Sequence, residues 1–157
     1  MVRRMWSTGL ASLAVAAVVA LPASVSAQDD GPPPAADYRS ALMVSLQNHM
    51  SAVSALAAGE VAYMGHIQQH ASAVNGLATM IGEAFPEGTA EGSRASEDIW
   101  ANWDAFMEKL RPLQEGAAAL DAAAQAGDAD GIAAARQAIM GTCRSCHTDY
   151  RLPPPGN

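Results

Sequence analysis

The 157-residue chain is poor in cysteine, aromatic side chains and charge. Its 2 cysteines exclude a disulfide-dense scaffold and a four-cysteine zinc site. Basic residues are scarce: 9 Lys and Arg stand against 16 Asp and Glu, a formal charge of -7. That balance argues against a basic face for nucleic acid, so no nucleic-acid partner is expected. Aromatics make up 5% and charged residues 16%. The apolar half of the chain is dominated by alanine, which favours helix over sheet. No stretch alternates with period two. The length suits one domain with a real core.

The N-terminus carries Arg3 and Arg4, then an apolar run over residues 10–21, then Val25-Ser26-Ala27. A basic start, a short apolar stretch and small residues at the end make a secretory signal peptide over residues 1–27. An uncleaved membrane anchor is the competing reading, but the run is short for a span. Export to the periplasm follows, a compartment that permits disulfides. Residues 28–36 are polar and proline-rich and read as a disordered leader.

Four helical segments follow over residues 37–151, with a tail over 152–157. The first, 37–58, places Leu42, Leu46, His49, Val53 and Leu56 on one face, with Met43 and Met50 beside them. The second, 60–83, carries Met64, Ile67, Ala71, Val74, Ala78 and Ile81. A loop from Phe85-Pro86 to Gly92 precedes the third, which starts near Ser96 and runs from Ile99 through Phe106 and Leu120 to Ala124. Pro112 should kink or break it. The fourth, 129–151, aligns Ile132, Arg136, Ile139, Cys143, Cys146 and Tyr150, with Asp128 placed to cap it. Segments of about 20 residues, or about 30 Å, with short turns predict an all-α, antiparallel up-down four-helix bundle.

Cys143-Arg144-Ser145-Cys146-His147 is Cys-x-x-Cys-His, the attachment sequence for c-type haem. Two thiols add to the two vinyl groups on one porphyrin edge, and the adjacent imidazole reaches the iron. On a helix, positions i, i+3 and i+4 share a face, so all three groups can address one flat ligand. A thioredoxin-type dithiol would follow a strand in a βαβ unit, and no strand is indicated. A zinc site would need further ligands nearby. A disulfide across one turn leaves His147 unexplained.

The motif lies near the C-terminus, inside the last helix. The run from Cys143 to Arg151, with Tyr38-Arg39 opening the first helix, Phe85-Pro86 in the loop and Glu97-Asp98-Ile99-Trp100 opening the third, resembles the cytochrome c′ family of four-helix-bundle haem proteins. The resemblance spans residues 37–151. It implies one haem c bound through Cys143 and Cys146, with His147 as the proximal iron ligand. It further implies Arg39 at a propionate, Arg151 close to His147, and Tyr150 and Trp100 packed around the haem.

By the same resemblance, Met43 faces the distal side of the haem. Its thioether is the expected sixth iron ligand, which makes a six-coordinate, one-electron carrier serving a redox partner protein. A five-coordinate iron would instead bind or sequester NO or CO. Arg136, Arg144 and Arg151 would leave a less acidic patch for that partner. The resemblance also allows a homodimer through the first two helices. A third reading, metal binding by His49, His66 and His70, rests on the i, i+4 spacing of His66 and His70. Their places beside the apolar stripe favour a solvated face, and His49 reads as a hydrogen-bonded core histidine. No carboxylate pair or nucleophile–base set stands at a fixed spacing, so enzymatic turnover is not indicated.

Overall fold

A computed structural model describes residues 33–154 and 156. The expected signal peptide, residues 1–27, and residues 28–32 of the expected leader lie outside the described residues. Helices α1 (Pro34–Ala57), α2 (Ile67–Met80), α4 (Trp103–Ala126) and α5 (Ala129–Tyr150) form the bundle, with a one-turn α3 (Asp98–Ala101) ahead of α4. α1 packs on α2, α2 on α4, and α4 on α5, while α5 returns to α1 and closes the bundle. Among the described residues no strand forms; an isolated antiparallel bridge joins Ala95 to Arg151.

The core follows the apolar stripes. Leu42, Leu46 and Val53 of α1 meet Ala71, Val74 and Ala78 of α2, Phe106, Leu113 and Leu120 of α4, and Ile132 and Ile139 of α5. Small residues set how closely the helices approach. A Cβ on Gly116 would sit 3.1 Å from Cγ1 of Ile139, so α4 and α5 meet there almost backbone to side chain. Gly127 closes α4 in the left-handed conformation at φ 67°, a shape that costs glycine nothing. Asp128 then caps α5, accepting from the backbone N–H of Gly131 at 3.0 Å. Asp128→Ala is expected to cost about 1 kcal/mol in chemical denaturation.

Three boundaries differ from the sequence reading. The leader does not extend to residue 36, because Pro34 begins α1. Proline suits the first helical turn, where its missing N–H would have no partner anyway. The second segment is not one helix. Residues 60–62 bend and residue 63 is irregular, a single 3-10 turn covers Met64–His66, and α2 has 14 residues, so the four helices are not of matched length. Gly59, at φ 69°, and Gly65 flank that stretch, and glycine is about 1 kcal/mol worse than alanine in a helix. Met64, placed on the core stripe by its spacing, is 50% exposed. The third segment breaks at Asn102 (φ -135°, ψ 51°) and not at Pro112. α4 runs through Pro112, which faces solvent between the buried Leu110 and Leu113.

Candidate haem site

α5 delivers the attachment motif. Cys143 and Cys146 are free thiols, half-buried and packed against the core, while His147 is exposed at the same end of the helix. Burial raises both thiols above their ordinary range. Cys146 is pushed up to about 11, with Cys143 adding to the effect and Lys109 opposing it. The pair is therefore protonated at neutral pH. Although the residue is exposed, partial desolvation of its ring first, then the charges of Arg151 and Arg94, hold His147 below the usual imidazole value. Its neutral form is the one that donates a lone pair to a metal. Two free, protonated thiols on one helical face beside a neutral imidazole fit a covalently attached haem.

Apolar and aromatic side chains pack on the same core as the two cysteines. Met43 of α1, Trp100 of α3 and Tyr150 of α5 are half-buried against it. Tyr150 meets Phe106 edge-on at 5.3 Å, Phe106 meets Phe85 at 4.8 Å, and Phe85 lies 6.5 Å from Trp100. The Trp100 indole N–H donates to the Phe85 carbonyl at 3.0 Å. Phe85 and Phe106 were not named as site residues from the sequence. The chain of rings from Phe85 through Phe106 to Tyr150 comes from three separate segments meeting.

Arg39 is the one charged side chain buried in this region, 5% exposed. Its Nη1 donates to the Ala84 carbonyl and Thr89 Oγ1 at 3.0 and 2.9 Å. Its Nη2 donates to the Thr89 carbonyl and Ser93 Oγ at 2.8 and 3.0 Å. The guanidinium also lies over the Phe85 ring, 4.7 Å from its centroid. Arg39 thus holds the long loop to the start of α1. The same loop holds the end of α5. Ser96 N–H donates to the Tyr150 carbonyl at 2.9 Å, Leu152 N–H to the Arg94 carbonyl at 2.8 Å, and Arg94 Nε to the Leu152 carbonyl at 2.8 Å. The backbone N–H of Arg151 donates to the His147 carbonyl at 3.2 Å and closes the last turn of α5. Thr89, Ser93 and Arg94 carry no motif, and only the fold brings them to the site.

Two placements change the sequence reading. Arg136 does not join Arg144 and Arg151 in an open basic patch. It is half-buried, with Nη1 3.5 Å from Ser54 Oγ on α1 and Nε enclosed without a partner. Arg144 and Arg151 are exposed, but an ion pair between Lys109 and Asp149 spans α4 and α5 beside them. His70 is not on a solvated face either. It is half-buried, and its Nδ1 lies 3.0 Å from Nδ1 of His49, which is hydrogen-bonded as expected. His66 is exposed and stacked on Tyr63.

Known proteins agree with this geometry. A family described as "Cytochrome C'" matches residues 34–151. Cytochrome c′ of Rhodospirillum rubrum is 32% identical over 139 residues, covering 87% of this chain and 95% of that one. Cytochrome c-556 of Agrobacterium tumefaciens is 30% identical over 117 residues, covering 74% and 95%. Among solved structures, the nitric oxide complex of a leucine-to-alanine mutant of cytochrome c prime from Alcaligenes xylosoxidans has a TM-score of 0.73 at 29% identity. It covers 79% of this chain and 98% of that one. The bundle, its C-terminal Cys-x-x-Cys-His helix and these matches agree along nearly the whole described chain: the protein belongs to the cytochrome c′ family, and its cofactor is haem c.

Proposed function

We propose that the protein holds one haem through thioethers at Cys143 and Cys146 and ligates its iron with His147. On the opposite side, next to Met43, it admits a small diatomic gas, NO or CO. The observation that carries this is the placement of Met43: half-buried, on the core side of α1, one turn beyond the anchored Arg39. An apolar side chain there crowds the distal face and favours small ligands over large ones. The Alcaligenes xylosoxidans relative solved with nitric oxide supports the same reading. When bound, haem iron supplies the one-electron couple and the coordination position for the gas. The chain's own part is to fix the haem by two bonds, present a neutral imidazole and limit access with Met43.

A second reading makes Met43 the sixth ligand and the protein an electron carrier for a redox partner. The thioether of Met43 favours it, since sulfur is a competent iron ligand. Optical spectra of the holoprotein separate the two. A high-spin spectrum with ready CO binding is expected. The weak red-edge band of methionine-ligated ferric haem would overturn the gas-binding reading. Met43→Ala supplies a kinetic check. Relief of crowding worth about 1.4 kcal/mol accelerates CO binding about tenfold in stopped flow. An unchanged rate would remove Met43 as the gate.

The N-terminal pattern supports export to the periplasm. Among the described residues, no helix is long and apolar enough to cross a membrane. Exposed Tyr38 and Val44 on α1 and Met80 on α2 support a homodimer through these two helices.

A further inference from the structure

The half-buried histidine pair on the α1–α2 side of the bundle has no part in the haem site. We propose that His49 and His70 form a two-imidazole site for a divalent first-row transition cation, copper(II) foremost. Their Nδ1 atoms lie 3.0 Å apart, with ring centroids at 5.2 Å and planes inclined by 55°. A cation about 2.0–2.1 Å from each of two nitrogens at a right angle sets those nitrogens roughly 2.9 Å apart. The observed separation matches that requirement, so binding asks for a turn of the two rings and not for movement of either helix.

The backbone around the pair is held firmly. Leu46, Met50 and Val53 flank His49 and are buried; Ile67, Ala71 and Val74 do the same for His70. In the free protein one ring donates Nδ1–H to the other. Moving that proton to Nε2 of the same ring frees both Nδ1 lone pairs with no net release of a proton, and a turn of the rings then aims them at one cation. Burial, then the neighbouring His49 and His66, hold His70 below the usual imidazole value, which favours the metal-binding form. No group of three or more His, Cys, Asp or Glu able to hold a metal occurs among the described residues. Water therefore completes the coordination. Imidazole donors and the Irving–Williams order place copper(II) ahead of zinc and nickel.

The test is a titration of tag-free holoprotein with copper(II), followed by calorimetry and by EPR at fields away from the haem signals. One copper per chain is expected, with splitting from two nitrogens. His49→Gln and His70→Gln each remove one of two ligands. Their loss should exceed the roughly 10–100-fold that outer-shell changes cost. His49→Ala and His70→Ala repeat the test without an amide, and an unchanged haem spectrum and helical circular dichroism verify each fold. His66→Ala is expected to leave binding intact. The proposal is overturned if the wild type takes up no stoichiometric copper. It is equally overturned if binding survives loss of His49 and vanishes with His66, since the ligands would then be the i, i+4 pair on the surface.

Discussion

Replacing Cys143 and Cys146 together by serine will yield a chain with no covalently bound haem. Serine keeps the size and the helix, but a hydroxyl does not add to a vinyl group as a thiol does. Both thiols are free and protonated, with Cys146 near 11, and they share one helical face with His147. The chain has no other cysteine, so no substitute bond can form. His147 would remain, and any haem it held would be lost to acidic organic solvent. Haem staining after denaturing electrophoresis and the pyridine haemochrome spectrum give the readout. A stained band in the double variant would sink the assignment. Cys143→Ala alone should retain one thioether and shift the haemochrome spectrum toward that of a haem with one vinyl group intact.

Arg39→Ala should lower the stability of the folded chain by about 4 kcal/mol, seen as a lower denaturant midpoint. The side chain makes four hydrogen bonds of 2.8–3.0 Å, two of them to main-chain carbonyls of the loop. Alanine leaves those acceptors without their charged donor, and buried orphan groups keep the full desolvation cost. It also removes the cation from the face of Phe85. Arg39→Lys should not restore the midpoint, since one ammonium cannot span a fork of acceptors. The effect should travel. The loop held by Arg39 is the loop that pairs with residues 151 and 152 beyond His147. Faster amide exchange is therefore expected at Ser96 and Leu152, with little change along α2. Equal protection in variant and wild type would confine Arg39 to a local role.

Much of the architecture was readable because helices are built from local interactions. The 3.6-residue spacing of Leu42, Leu46 and Val53, of Phe106, Leu113 and Leu120, and of Ile132 and Ile139 marked faces that are buried in the bundle. The cap at Asp128 was readable for the same reason, its acceptor and donor being three residues apart. Local propensity misled at Pro112, where packing on both sides of an exposed proline kept the helix continuous. It also misled over residues 60–66, where apolar spacing continued through a region that two glycines hold out of helix.

The candidate site divides along the same line. Cys143, Cys146 and His147 stand within five residues, so sequence alone determined the cofactor chemistry and, with the helical spacing, the fold class. Arg39 and its loop, Phe106 against Phe85 and Tyr150, and His49 against His70 are pairings across 21 or more residues. No periodicity encodes them. Only the tertiary structure decided that Arg39 is a buried lock on the long loop, that Arg136 turns inward from the basic patch, and that two histidines from different helices hydrogen-bond to each other. The physical reason is burial. Once four apolar stripes close on one another, each polar group trapped beside them must find its partner wherever the chain happens to bring one.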